Sequence, residues 1–193
     1  ERPSSLVGSE MCIRDRACSI SASAHSAAMQ FVKPGLNESD VEAYYMYEFA
    51  KRGGRYAAYN PIVAGGVNAC VLHYNDNNCM LNDGDLILVD AGCEFNMYAS
   101  DITRTYPING KFSKEQLAVY EIVLAAQQAS IEAVRPGNSV IEPQKVSEKI
   151  ITQGLIDIGI LDGEISELIE IGAFREYYIC LLYTSPSPRD WMV

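Results

Sequence analysis

Several features that define common protein classes are missing from this sequence of 193 residues. It contains one Trp and two His, and none of its apolar runs reaches the roughly 18 residues of a membrane-spanning helix. Positive charge is scarce, because 15 Lys and Arg stand against 25 Asp and Glu for a formal net charge of −10. Proteins that bind nucleic acid through phosphate contacts normally carry the opposite sign. We therefore expect no nucleic acid and no membrane among its partners.

Familiar nucleotide, thiolate and nucleophile motifs are absent as well. The sequence has no GxGxxG, no Walker-type phosphate loop and no serine nucleophile elbow. Its six cysteines include no CxxC pair, which argues against a zinc ribbon or a disulfide framework and predicts buried apolar thiols. With 48% hydrophobic and 21% charged residues, the composition is that of one globular domain. We expect a soluble protein of the cytoplasm.

The two ends of the chain carry an unusual signal. Residues 1–16 and 180–193 show no helical or strand period. A DNA that encodes residues 180–193 also encodes Pro3 to Asp15 when its reverse complement is read in another frame. This relation resembles a sequencing adapter ligated to both ends of a DNA fragment and then translated. We therefore predict that residues 1–16 and 180–193 are adapter-derived and that residues 17–179 are native.

Within residues 17–179, periodicity predicts two helix pairs. The first pair covers 17–32 and 41–51, with Asn37 or Ser39 as the second N-cap. The second pair runs from a capping box at Ser113 and Gln116 to about 134, and then over 139–158. The stripe of the third helix comprises Leu117, Tyr120, Val123, Leu124, Gln127 and Ile131. A turn at 159–163 and a short helix over 164–171 follow.

A β-rich segment over 56–105 separates the helix pairs, with its clearest strand at 86–91 and another within 98–106. A basic residue and Pro-Gly interrupt each pair, at Lys33-Pro34-Gly35 and at Arg135-Pro136-Gly137. This echo predicts two pseudo-symmetric halves, each a helix pair plus a β-sheet, with the second half cut short. Blocks of this kind favour an α+β fold.

Two aspartates mark the segment with the most chemical information. Asp90 ends an apolar strand just before Gly92, and Asp101 opens the next strand. An antiparallel return would place both carboxylates together, where proton uptake or a cation relieves their repulsion. A pair of divalent metal ions would satisfy both, although the residues alone favour turn or capping roles. Judged from the residues alone, His73 is more typical of a core or surface histidine than of a catalytic one. His25, on a predicted helix, is expected to be structural.

Three blocks of sequence change these expectations, because they resemble the pita-bread metallopeptidases and, among them, the Xaa-Pro aminopeptidases (aminopeptidase P). The blocks are YNPIVAGGVNACVLHY at 59–74, DGDLILVDAGCEFNMYASDITRTYPINGKF at 83–112 and the helix that follows. RPG at 135–137 and GILDGEISELI at 159–169 fit the same family. The resemblance implies an incomplete pita-bread (creatinase/aminopeptidase) fold.

The resemblance also implies a site for two divalent metal ions, usually manganese, held by two Asp, one His and two Glu. Asp90 and Asp101 match the two aspartates. His73 matches a catalytic histidine that also contacts substrate, and Tyr59 lies where the family has a substrate-pocket tyrosine. In the family the His ligand lies at or just after the position of residue 180, and the two Glu come later still. The predicted adapter begins at Cys180 and contains neither His nor Glu, so three of the five ligands are expected to be absent from this chain.

By resemblance, the complete protein is an aminopeptidase and a homo-oligomer that releases the N-terminal residue from peptides with proline in second place. This chain, with two of five ligands, is expected to be inactive. A prolidase-type dipeptidase and a metal-free peptide-binding module are the alternatives. Retention of both aspartates argues against the binding module and against a creatinase-like hydrolase.

Overall fold

The computed structural model describes residues 4–178, with side chains from residue 10 onward. The chain divides into two compact units, residues 1–112 and residues 113–193. The predicted adapter-derived tail at 180–193 lies outside the described residues. Within the described part, no helix has the length and apolar character required to cross a bilayer.

The first unit begins with helix α1 (Ser4–Phe31) and helix α2 (Glu38–Lys51). Asn37 caps α2 as predicted: its side chain accepts from the Ser39 amide, and Asp40 closes a capping box. The prediction of a non-helical segment over residues 1–16 is wrong, since α1 already starts at Ser4. Between residues 10 and 16 no side chain is buried, and burial starts at Ala17. This first part of α1 therefore needs no apolar periodicity.

Six short antiparallel strands follow and form two three-stranded sheets, in the orders β1-β4-β5 and β2-β3-β6. The strands are β1 (Tyr56–Ala57), β2 (Ile62–Gly65), β3 (Leu86–Asp90), β4 (Cys93–Phe95), β5 (Tyr98–Ala99) and β6 (Thr103–Pro107). The predicted strand at 86–91 is confirmed apart from its last residue. The strand predicted within 98–106 is two strands, β5 and β6, because the pairing is interrupted at residues 100–102.

One antiparallel register runs through both sheets. It pairs Asp90 with Thr103 in β3 and β6, and Glu94 with Ala99 in β4 and β5. The hairpin closes at Asn96 and Met97, whose φ values of 49° and 70° are those of a two-residue type I′ turn. The segments β3–β4 and β5–β6 are therefore the two arms of one bent hairpin.

Helices α1 and α2 pack on the sheets and form one apolar core with them. Helix α1 contributes mainly small side chains, which let the helix approach the strands closely. The buried residues include Ala17, Ile20, Ala24, Ala28, Val41, Tyr45, Phe49, Val63, Ile87 and Val89. Burial of a side chain the size of Phe49 stabilises the fold by about 1.5–3 kcal/mol. The expected burial of cysteine holds for Cys93, whereas Cys18, Cys70 and Cys79 are exposed.

The second unit is helical throughout its described part. It contains α3 (Lys114–Ala133), α4 (Glu142–Asp157), α5 (Ile165–Ile171) and a 3-10 turn over Ala173–Glu176. The predicted capping box of Ser113 and Gln116 is present. Helix α4 begins three residues later than predicted, with Pro143 in its first turn. Each unit thus contains a helix pair interrupted by Pro-Gly, and within the described residues the first unit alone has a sheet.

The contact between α3 and α4 combines small residues with branched apolar side chains such as Ile122 and Ile151. Ala126 is buried on α3, and the Ser130 hydroxyl lies 2.6 Å from that of Ser147 on α4. The stripe singled out in the sequence does not form this contact, since its members Leu117, Val123, Leu124, Gln127 and Ile131 are exposed. Ile122 is the large α3 residue that packs here, against Gly154 of α4, whereas the predicted stripe lies elsewhere on the surface of α3.

Replacement of Gly154 by Ala tests this close approach. A Cβ at position 154 would lie 2.5 Å from Cγ2 of Ile122, a β-branched side chain with few alternative rotamers. We expect Gly154→Ala to lower the free energy of unfolding by about 1–3 kcal/mol in chemical denaturation. Ile122→Ala removes all three clashing carbons, so Gly154→Ala should cost less stability in an Ile122→Ala background than in the wild-type protein. A stabilised Gly154→Ala protein would contradict the packing described here.

Candidate metal centre

The hairpin register places Asp90 and Asp101 on one face of the sheet. Asp90 pairs with Thr103, and Asp101 precedes Thr103 by two residues, so the two aspartates are diagonal neighbours. Side chains two residues apart on a strand point to the same face, and diagonal partners are within reach of each other. The expected antiparallel return is therefore present.

Tyr59 joins the two carboxylates. Its hydroxyl lies 2.5 Å from Oδ1 of Asp90 and 3.2 Å from Oδ1 of Asp101. Burial, and then the hydrogen bond to the Asp90 carboxylate, raise the pKa of Tyr59 well above its ordinary value, so the hydroxyl keeps its proton and donates it. Tyr59 is thus a hydrogen-bond partner of both carboxylates, and the substrate contact that the resemblance implies stays a prediction.

A bulge in the neighbouring strand positions Tyr59. Ala57 pairs with Cys93, and Ile62 pairs with Asp90. Four residues, 58–61, therefore oppose two residues of the hairpin, 91 and 92. The Ala58 amide donates to the Gly92 carbonyl at 2.9 Å, and the remaining residues loop out toward the carboxylates. Bulges of this kind commonly redirect a side chain beside a functional site.

Gly92 allows the two arms of the hairpin to cross closely between the aspartates. A Cβ at this position would lie 1.7 Å from the Ser100 carbonyl oxygen, a distance that no side chain can accommodate. Because the obstacle is backbone, a rotamer change cannot relieve it. The glycine after Asp90 is therefore required by geometry.

The carboxylate pair carries uncompensated negative charge. Asp90 is half-buried and Asp101 is exposed. Within the described residues neither forms an ion pair with Lys or Arg, and no group of three or more His, Cys, Asp and Glu side chains converges. The predicted metal ligands Asp90 and Asp101 therefore come together as two oxygen ligands without a third protein ligand from residues 10–178.

His73 lies on the loop after a 3-10 turn over Gly66–Cys70. Its side chain is exposed, and its backbone φ of 54° is in the left-handed region, which non-glycine residues adopt at a cost of about 1–3 kcal/mol. In the described part of the chain, no hydrogen bond connects His73 to Asp90, Asp101 or Tyr59. The structure thus brings Tyr59 to the aspartates and leaves the imidazole of His73 free to meet a ligand.

A buried carboxylate anchors the His73 loop. Glu38, at the start of α2, accepts hydrogen bonds from the Gly65 amide at 2.8 Å, the Cys79 amide at 2.9 Å, the Tyr74 hydroxyl at 2.8 Å and the Asn68 amide group at 3.0 Å. Burial alone would raise the pKa of Glu38, but these four donors lower it below its ordinary value. Glu38 thus fixes both ends of the loop.

A second buried polar residue, Asn77, anchors the same loop to the strand that precedes it. Its side chain accepts from the Val63 amide at 2.9 Å and donates to the Pro61 carbonyl at 2.8 Å. Its φ of 44° is the left-handed conformation that Asn tolerates best among non-glycine residues. The loop conformation around His73 is therefore specified from two sides.

Sequence reasoning missed Glu38, Ser21 and His25 as determinants of this region. The available signal was a polar residue on an otherwise apolar face. Ser21 and His25 follow Ile20 and Ala24 on the buried face of α1, where a polar side chain requires a partner. Those partners are distant in sequence, so periodicity could not identify them.

Replacement of Glu38 by Gln tests the anchor. The amide keeps one acceptor oxygen and loses the charge, so we expect the free energy of unfolding to fall by about 1–3 kcal/mol at pH 7. A lowered pKa in the folded state adds stability above the unfolded pKa, near 4.5, that disappears as pH falls below it. Between about pH 5 and 3, the stability of Glu38→Gln should therefore depend less on pH.

Glu42→Gln is the matched control, because Glu42 on the same helix is half-buried and accepts one hydrogen bond, from Asn77. It should change stability by less than about 0.5 kcal/mol. Equal effects of the two substitutions, or an unchanged pH slope in Glu38→Gln, would contradict the role of Glu38.

Comparisons with known proteins identify the context of this site. Residues 13–182 match the model of metallopeptidase family M24. The chain is 49% identical over 170 residues to Xaa-Pro aminopeptidase of Haemophilus influenzae, covering 88% of this chain and 40% of that protein. Among solved structures, proline aminopeptidase P II from Yersinia pestis matches with a TM-score of 0.87 and 48% identity, over 89% of this chain and 39% of that one.

A zinc-substituted Escherichia coli aminopeptidase P in complex with product matches with a TM-score of 0.86 and 44% identity, over 89% of this chain and 39% of that one. At this level of identity and fold similarity, the α+β, partial pita-bread architecture predicted from sequence is confirmed. The chain spans about two fifths of the length of these relatives.

Proposed function

This chain belongs to metallopeptidase family M24, and we propose that the complete protein is a metal-dependent aminopeptidase that releases the N-terminal residue from peptides with proline in second place. The observation that carries the proposal is the convergence of Asp90 and Asp101 on the single hydroxyl group of Tyr59. The relative from Haemophilus influenzae, named Xaa-Pro aminopeptidase, supports the substrate class.

The residues present fit two ligands of a divalent-cation site. Both carboxylates lie on one face, and in residues 10–178 no cationic side chain pairs with them. Oxygen donors suit Mn²⁺, Mg²⁺ and Ca²⁺, and sites that add imidazole also suit Zn²⁺. We propose manganese as the metal, held further by one His and two Glu that the complete protein would supply. The zinc-substituted relative supports a divalent ion.

Divalent ions held by this pair would polarise the scissile carbonyl and lower the pKa of a coordinated water. Asp90 and Asp101 balance the positive charge, and Tyr59 donates to Asp90 and so restricts its rotation. The side chain of His73 is exposed and makes no hydrogen bond to Asp90, Asp101 or Tyr59 in the described part of the chain. We propose that its imidazole donates a hydrogen bond to the substrate carbonyl as negative charge develops there. Tyr59 would contact substrate from the same bulge.

The chain as given is proposed to be inactive. Two carboxylates bind a transition metal weakly, and among the described residues no third ligand completes the set. We propose residues 17–179 as the native N-terminal part of the catalytic domain, with residues 1–16 and 180–193 adapter-derived. The onset of burial at Ala17 supports the first boundary. The cytoplasmic location and the homo-oligomeric state of the complete protein stay predictions of the family resemblance.

A prolidase-type dipeptidase is the alternative enzyme, and it differs in requiring a dipeptide rather than a longer substrate. A metal-free peptide-binding module is the alternative of another class. Retention of both aspartates, and their convergence, favour the metalloenzyme over the module. The names of the curated relatives favour the aminopeptidase over the dipeptidase.

The experiment begins with the genomic coding sequence beyond codon 179, from which the complete protein is produced. We expect hydrolysis of a tripeptide with proline in second place, loss of activity in a chelator and recovery with Mn²⁺. Asp90→Asn should lower kcat/KM at least about 100-fold, since it removes a metal ligand. Asp83→Asn, in the turn before β3, is the matched control and should retain activity.

Cleavage of dipeptides alone would favour the prolidase-type enzyme. An inactive protein that binds proline-containing peptides without metal would favour the binding module. Chelator-resistant activity would contradict the proposal altogether.

Replacement of His73 by Ala in the complete protein tests its proposed contact with substrate. The loss of one donor to a developing oxyanion lowers kcat by about 100- to 1,000-fold. Since His73 is exposed and contacts neither aspartate, the midpoint of thermal unfolding and the Mn²⁺ affinity should stay unchanged. Activity within a few-fold of wild type would exclude His73 from the reaction.

A further inference from the structure

Two side chains of α1 contact the hairpin backbone on the buried side of the aspartate pair. His25 Nε2 lies 3.0 Å from the Ala91 carbonyl oxygen. Ser21, one helical turn earlier, accepts from the Cys93 amide at 2.9 Å and lies 2.7 Å from the Ser100 hydroxyl. Ser21 and His25 are 0% and 3% exposed, so neither contact competes with water.

These contacts take the place of two backbone hydrogen bonds that a regular antiparallel ladder would form here. The register pairs Ala91 with Ile102 and Cys93 with Ser100, and the Ala91 and Ser100 amides make their expected bonds at 3.1 and 3.0 Å. The two reverse bonds, from the Ile102 amide to Ala91 and from the Cys93 amide to the Ser100 carbonyl, are not formed in the described hairpin. The Ala91 carbonyl instead accepts from His25, and the Cys93 amide donates to Ser21 Oγ at 2.9 Å and to Ser100 Oγ at 3.1 Å.

The interruption lies directly beside the two aspartates. Gly92 and Asp101 occupy the position between the two opened pairs, and Asp90 immediately precedes them. A buried amide or carbonyl without a partner costs about 1–3 kcal/mol. Without His25 the Ala91 carbonyl would lose this partner, and without Ser21 the Cys93 amide would keep only its longer bond to Ser100 Oγ. The hairpin would therefore tend to close into a regular ladder and change the spacing of the carboxylates.

The orientation of His25 is itself defined. Nε2 donates to a carbonyl, so Nδ1 is the acceptor for the Tyr45 hydroxyl at 2.9 Å. The Tyr45 ring packs edge-on against the imidazole with a centroid distance of 4.9 Å. Burial lowers the pKa of His25, which keeps this neutral form at neutral pH. Tyr45 of helix α2 thus fixes the orientation of the His25 ring on helix α1.

We propose that Ser21 and His25 are positioning residues that keep the hairpin open between β3 and β4 and thereby set the separation of Asp90 and Asp101 for two cations. This inference rests on the proposed metalloenzyme function, because it concerns the geometry of the same ligands. A residue with a merely structural role would affect folding stability. A positioning residue also changes metal affinity in protein that is fully folded.

The test uses the complete protein, stripped of metal and titrated with Mn²⁺ while electron paramagnetic resonance reports the free ion. His25→Leu and Ser21→Ala should each raise the dissociation constant about tenfold or more, measured well below the unfolding midpoint of each variant. His25→Gln, which retains a donor toward Ala91, should recover most of the affinity. Ser26→Ala, on the exposed face of α1, is the matched control and should bind as wild type.

Amide hydrogen exchange of the metal-free proteins is the second measurement. Faster exchange confined to residues 91–93 and 100–102 in His25→Leu is the expected result. Unchanged Mn²⁺ affinity in folded His25→Leu and Ser21→Ala would overturn the proposal. If the wild-type protein binds no Mn²⁺, the proposed function fails and the exchange pattern decides: a local increase supports the positioning role, and a uniform or absent increase overturns it.

Discussion

The single antiparallel register of the hairpin over residues 86–107 is the constraint on which the candidate site depends. It carries the chain from one sheet into the other and back, and it sets Asp101 two residues from the partner of Asp90. A shift by one residue would send one aspartate to the opposite face of the sheet. The type I′ turn at Asn96 and Met97 fixes the register at the closed end of the hairpin. Beside the aspartates, the same register is possible only because Gly92 has no side chain to collide with the opposite arm.

The site disturbs the regular sheet, and buried polar side chains compensate for the disturbance. The bulge at residues 58–61 places Tyr59, and the open pairs around Gly92 leave a carbonyl and an amide to His25 and Ser21. Glu38 performs the same task for the loop that carries His73. At the open pairs and at the His73 loop, a helix residue satisfies a backbone group that a strand does not, which links the position of the helices to the geometry of the site.

Local signals in the sequence predicted the parts of the fold that local forces control. The capping box at Ser113, the cap at Asn37 and the strand ending at Asp90 are of this kind, as is the proximity of the two aspartates. The buried face of α3 was not predictable, because it depends on the close approach of α4 at Gly154. The partners of Tyr59, Glu38 and His25 depend on contacts 20 or more residues apart along the chain. Their side chains alone do not specify such contacts.

Anomalous X-ray diffraction from crystals of the complete protein grown with Mn²⁺ tests most directly whether the aspartate pair binds metal. If it does, two anomalous peaks are expected, each about 2–2.6 Å from a carboxylate oxygen of Asp90 or Asp101. The peaks should disappear in Asp90→Asn crystals. Peaks located away from both aspartates, or none at a saturating Mn²⁺ concentration, would contradict the metal-binding role.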